Sequence, residues 1–201
     1  MNIHHFLKPV IFLVCLVPLA LQIFLFFEGD LANPAEYAKH ASGDWALRFI
    51  VLVLVVSPIK IITGYTPILR YRRMLGLYAF FYVCVHLMTF GFFDVFENSD
   101  QSMYQAIIYI GAEIIERPYI TVGFAAFLML VPLAFTSTSK IRRSMGSAWV
   151  KLHKLVYLVA VLGVLHYFWL VKKDLTDPII YSIILTILFS IRLINYYRKK
   201  P

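Results

Sequence analysis

Six apolar stretches, at residues 9–27, 45–62, 74–93, 119–136, 149–171 and 178–194, leave this chain few ways to fold. Roughly 20 mostly apolar residues, wound as a helix, cross the ~30 Å of hydrocarbon in a bilayer. Lipid offers no partner to an open backbone N–H or C=O, so such stretches must be helices. The composition agrees: 61% of the 201 residues are hydrophobic and 15% charged, against about a quarter charged in a soluble domain. The expected fold is an all-α integral membrane protein, a six-transmembrane-helix bundle forming one domain over 1–201. The first stretch is long for a signal-peptide core, Lys8 is the one fixed charge before it, and no clear small-residue cleavage site follows. It reads as a retained span. Pro18, Pro58 and Pro132 lie inside spans and are expected to kink them.

The placement of charge gives the orientation. Lys60, Arg70, Arg72 and Arg73 lie in one connection. Lys140, Arg142 and Arg143 lie in another, followed by Lys151 and Lys154, and Arg198, Lys199 and Lys200 close the chain. With six spans, all of these fall on one side. Every acid falls on the other: Glu28, Asp30, Glu36, Asp44, Asp94, Glu97, Asp100, Glu113, Glu116, Asp174 and Asp177. The positive-inside rule then puts both termini in the cytoplasm. The net charge of +8 is therefore a topology signal, and nucleic acid is not an expected partner. Trp45, Tyr119, Phe168 and Trp169 near the outer boundary, with Tyr71, Tyr196 and Tyr197 near the inner one, form an aromatic belt in contact with lipid. In the long outer connection, Met103, Ile107, Ile110 and Ile114 recur at helical spacing. A short interfacial helix is predicted there, either resting on headgroups or offering a docking surface to an outer partner. Cys15 and Cys84 each sit in an apolar stretch and read as packing.

Of six histidines, His4, His5 and His40 fall outside the spans and read as surface residues. His86, His153 and His166 lie within spans. Ionisable groups in a membrane are costly and mark function by default. Three imidazoles on two helices point to haem iron. With a rise of about 1.5 Å per residue, His86 and His166 each lie roughly 20 Å outward from the inner ends of their spans, and His153 lies near the inner surface. His86 and His166 are thus expected to ligate one iron, with no histidine opposite His153. Thirteen residues at about 100° each leave His153 and His166 roughly 140° apart on a straight helix. For both to face one interior, the helix must bend or unwind, and Gly163 is the expected weak point.

The stretches RRMLGLYAFFYVCVHL at 72–87, RPYITVG at 117–123, LAFTST at 133–138 and WVKLHKLVYLVAVLGVLHY at 149–167 carry a resemblance. The chain resembles the MsrQ (YedZ) family, the haem-binding membrane subunits of the periplasmic methionine sulfoxide reductase system, within the ferric-reductase-like transmembrane superfamily. The resemblance implies a haem b protein of the bacterial inner membrane that also associates with FMN. It would take electrons from the quinone pool or a cytosolic flavin reductase and pass them to a periplasmic molybdopterin methionine sulfoxide reductase, repairing oxidised proteins. His86, His153 and His166 match the family's haem histidines. The wider superfamily carries two histidines on each of two helices, for two stacked haems. Here Arg72 and Arg73 stand thirteen or fourteen residues before His86, so one haem is expected, or two with His153 as an unpaired or shared inner ligand. The spans read without the cytosolic FAD and NADPH domains of those relatives, so electrons are expected to come from another molecule.

Arg48 and Arg117 are weaker candidates, for a haem propionate or a partner. Snorkelling is the rival role for Arg48, and for Arg117 it is starting a helix at Pro118. Thr136, Ser137 and Thr138 are expected to cap backbone groups or meet an FMN phosphate. Arg142 and Arg143 read as orientation charges. Three other functions suit a chain of this kind: a stand-alone ferric or cupric reductase, a transporter and a structural anchor. No Asp or Glu lies within the spans as drawn, which speaks against carboxylate-coupled transport.

Overall fold

The computed structural model describes residues 3–96 and 103–199, without the side chains of residues 3–6, 95, 96, 103 and 106. The surface role expected of His4 and His5 therefore lies outside the described side chains, as do Glu97, Asp100 and Lys200. The described residues form α1 (Ile3–Glu28), α2 (Pro34–Thr63), α3 (Arg72–Phe90, continued by a π-helical turn, Gly91–Phe96), α4 (Met103–Glu116), α5 (Pro118–Phe135), α6 (Ser139–Met145), α7 (Ser147–Leu152), α8 (Leu155–Leu170) and α9 (Thr176–Arg198). A 3₁₀ turn, Thr66–Arg70, links α2 to α3. Six of these units are long and apolar enough to cross a membrane: α1, α2, α3 with its π turn, α5, α7 with α8, and α9. Among the described residues there is no strand.

α2 is the central helix and packs against α1, α3, α8 and α9. Leu54 and Val159 are fully buried, as is Tyr82. α2 departs from expectation at its outer end. It starts at Pro34, a full three turns before the apolar run at Trp45. Asn33 caps it by accepting a hydrogen bond from Glu36 N at 3.0 Å, and proline is favoured in the first turn. His40, expected in a loop, is on this helical extension, 3.8 Å from Glu36. Asp44 is on it as well, so the longest helix does carry acids at its outer end. At the other end Gly64, at φ 73°, donates its N–H to Lys60 O and stops α2.

α1 is held by two tyrosines of α3. Tyr78 donates to Phe12 O and Tyr82 to Cys15 O, each at 2.8 Å. The Tyr82 hydroxyl also accepts from Leu19 N at 3.2 Å, so it bridges the helix ladder beside Pro18. Tyr82→Phe is expected to lower stability by about 1 kcal/mol, the usual net worth of one buried hydrogen bond. Thermal unfolding in detergent measures it, with Phe81→Leu, which carries no hydroxyl, as the comparison. α4 is the predicted outer helix, with Ile110 and Ile114 turned inward and Ile107 exposed.

Candidate functional site

The end of the bundle that carries the acids holds a cavity of about 590 Å³ enclosed by α2, α3, α4, α5 and α8. Ligand pockets commonly measure about 300–1,000 Å³. Leu47, Ile50, Val83, Phe127 and Leu130 give it apolar walls. His86 on α3 and His166 on α8 both line it, with ring centres 6.2 Å apart and planes at 74°. The structure thus brings together the two histidines that helix rise alone placed at one depth.

Each ring is anchored through the same nitrogen. His86 Nδ1 donates to the carbonyl of Lys39 on α2 at 3.0 Å, and His166 Nδ1 donates to the carbonyl of Tyr119 on α5 at 2.6 Å. A carbonyl only accepts, so in the neutral imidazole Nδ1 holds the proton and the lone pair is on Nε2. Among the described residues, neither Nε2 is hydrogen-bonded. This is the arrangement of a metal-ligating histidine with its outer partner in place. Two imidazoles bonded to one metal at about 2 Å each have ring centres roughly 6 Å apart. The observed ring separation fits two imidazoles that would hold one iron, and the apolar walls suit a porphyrin.

Polar groups gather at the rim. Lys39 Nζ pairs with Asp94 Oδ1 at 2.5 Å, and Arg117 Nε with Glu113 Oε2 at 2.7 Å. Arg117 also donates to the Tyr119 hydroxyl at 3.2 Å and caps α5 ahead of Pro118. Glu113 is buried, and its charge beside the phenol pushes Tyr109 above the usual tyrosine range. Arg117 therefore lines the cavity, as one of its two expected roles required. Arg48 does not: it stacks over Trp45 at 4.7 Å and lies 3.8 Å from Asp44, on the surface beside the site. Its side chain is held by its own helix neighbours, four and three residues back.

His153 lies apart, toward the basic end of the bundle, and does not line the cavity. Its ring stacks on Trp149 with centres 3.9 Å apart, and Nε2 is 3.0 Å from Thr136 Oγ1. The expected break in this span exists, but at a different residue. α7 ends at Leu152 and α8 begins at Leu155, so the chain unwinds at His153 and Lys154, whereas Gly163 stays helical. Lys154 N bonds to Lys151 O, a tighter turn than α-helical, which reorients the residues that follow. Thr136 and Ser137 satisfy carbonyls at the end of α5, and Thr138 caps α6. These are the backbone-capping roles expected of them.

The carbonyls of Lys39 and Tyr119, the hydroxyl of Ser42 and Gly43 and Gly123 beside the rings were not singled out in the sequence. A backbone acceptor leaves no residue-type signal. The glycines were visible, but their neighbours on other helices were not.

A six-span bundle with two inward imidazoles on its third and fifth spans defines a membrane protein of the ferric-reductase-like class. The model of the family described as "Ferric reductase like transmembrane component" matches residues 42–164, which include His86 and end two residues before His166. The protein-methionine-sulfoxide reductase heme-binding subunit MsrQ of Polaromonas naphthalenivorans is 43% identical over 98% of this chain and 88% of its own length. The subunit of the same name in Rhodospirillum rubrum is 45% identical over 94% of this chain and 88% of its own length. That of Herminiimonas arsenicoxydans is 38% identical, over 96% and 87%. The chain belongs to the MsrQ family of ferric-reductase-like transmembrane proteins.

Proposed function

We propose that this protein is the haem b electron-transfer subunit of a methionine sulfoxide reductase system. In this reading it carries electrons across the bacterial inner membrane to a periplasmic molybdopterin catalytic subunit that repairs oxidised proteins. The observation that carries the proposal is the facing pair, His86 and His166, each with Nδ1 on a carbonyl and Nε2 free. The names of the relatives, heme-binding subunits of a methionine sulfoxide reductase, point the same way. Segregation of charge supports cytoplasmic termini, and so a site in the periplasmic half of the membrane.

Haem bound there would supply a one-electron iron couple. His86 and His166 would hold the iron, and the carbonyls of Lys39 and Tyr119 fix the tautomer and raise the basicity of each ring. The apolar walls keep water from the centre. Arg117 and Lys39 place positive charge at the rim, where propionates of a bound porphyrin would be met. His153 is assigned to the inner half of the route, toward the quinone pool or a cytosolic flavin reductase as donor. FMN belongs to the same proposal through the family resemblance, with no residue of this chain assigned to it.

The test is an optical spectrum of the purified protein, followed by reconstitution in vesicles with the periplasmic catalytic subunit and a quinol. A reduced b-type spectrum is expected, reoxidised when methionine sulfoxide and the partner are both present. Protein expressed with ample haem that shows no such spectrum rules the proposal out. Reduction of chelated iron at full rate without the partner would instead favour a stand-alone metal reductase.

A further inference from the structure

The two histidine anchors share a construction that neither the family nor the histidines themselves explain. Each accepting carbonyl lies four residues before a glycine: Lys39 before Gly43 on α2, and Tyr119 before Gly123 on α5. In an α-helix each Cα–Cβ bond tilts toward the N-terminus, so a side chain covers the turn before it. A side chain at position i+4 therefore shields the carbonyl of residue i. A glycine there uncovers it.

The distances show how closely the rings use that opening. A Cβ on Gly43 would stand 3.1 Å from His86 Cε1 and 3.2 Å from Nδ1. One on Gly123 would stand 2.7 Å from His166 Nδ1, 2.9 Å from Cε1 and 3.1 Å from Cγ. Favourable contacts between carbon atoms begin near 3.5 Å. The Gly123 position thus has no room for a methyl group while His166 keeps its bond to Tyr119. Two other glycines of the spans differ: a Cβ on Gly163 would meet the end of Leu47 at 3.4 Å, and one on Gly76 would meet Val53 at 4.0 Å.

We infer that Gly43 and Gly123 are positioning residues for the two imidazoles that would hold the iron, each opening the helix surface through which a ring reaches a carbonyl by Nδ1 and keeps Nε2 for the metal. The inference rests on the haem reading proposed above. The two sides are unequal. His86 Nδ1 also lies 3.3 Å from Ser42 Oγ, which donates to the same Lys39 carbonyl and lies 3.2 Å from Thr89 Oγ1. His86 has a second polar partner and looser contact with its glycine. His166 has one short bond and no slack.

The experiment compares haem affinity and spin state of Gly43→Ala and Gly123→Ala, with Gly76→Ala, outside the cavity lining, as the control. Loss of an outer partner commonly costs about 10–100-fold in metal affinity, and that range is expected for Gly123→Ala. Its spectrum should lose six-coordinate low-spin character and regain it when free imidazole is added. Gly43→Ala should move the same way by a smaller factor, and Gly76→Ala should match the parent protein. Wild-type affinity in Gly123→Ala with no response to imidazole overturns the inference, as does an equal loss in Gly76→Ala. If Gly123→Ala does not accumulate in the membrane, Gly43→Ala decides by the same imidazole response. Parent protein that binds no haem refutes the function itself, whereas haem-loaded parent protein with unaffected glycine variants refutes only this step.

Discussion

His86→Ala and His166→Ala are each expected to abolish the six-coordinate b-type spectrum. The two rings stand 6.2 Å apart with neither Nε2 hydrogen-bonded among the described residues, so in the proposed haem reading one iron would take a bond from each. Removing either would leave one histidine to hold it. Since loss of an outer partner already costs about 10–100-fold, loss of the ligand itself should exceed about 100-fold in affinity. The helices should still form, because their long apolar runs do not depend on the imidazoles. His153→Ala should leave this spectrum intact, since His153 bonds to Thr136 and stacks on Trp149 away from the cavity. Any haem lost in His153→Ala alone belongs to an inner site. Haem stoichiometry by pyridine haemochrome, set beside the spectrum of each variant, reads all three outcomes. Native spectra in both His86→Ala and His166→Ala would refute the shared iron.

The spans were legible because apolar length leaves lipid-embedded backbone one solution. The depth pairing of His86 with His166 was legible because helix rise is nearly constant. What failed depended on neighbours. The extension of α2 over 34–44 is polar, so hydropathy stopped at Trp45, yet Asn33, Pro34 and Glu36 were a readable start signal. Gly163 looks like the flexible point of the fifth span, but it stays within α8, and the break occurs at His153 and Lys154. The depth of Arg48 suits the site, but its angle around α2 sends it elsewhere. The anchors of both rings are main-chain oxygens of other helices, which only the assembled bundle supplies.

Arg192 shows the same dependence and carries the second large prediction. It lies inside the sixth span, a cation in an apolar run. Its guanidinium donates to Leu54 O on α2 and, at 2.8 Å, to Leu188 O, and it lies 5.5 Å over the Tyr157 ring. Leu54 is four residues before Pro58, which has no N–H to give. The Leu54 carbonyl is thus left open in the middle of a membrane helix, and α9 closes it from outside, as neighbouring helices do for prolines in membranes. Arg192→Leu bares that carbonyl, a loss of about 1–3 kcal/mol. It also removes a buried cation whose Nε has no partner among the described residues, which offsets part of the loss. The double-mutant cycle separates the two effects. Pro58→Ala supplies a new N–H one turn below Leu54, so it should restore most of the stability lost by Arg192→Leu while changing the parent protein far less. Thermal unfolding in detergent, followed by helix content, measures all four corners. A coupling of about 1–3 kcal/mol is expected, because the two changes act on one carbonyl. Additive effects of the two substitutions would mean that Arg192 holds α9 by its stacking on Tyr157 and not by closing the gap at Pro58.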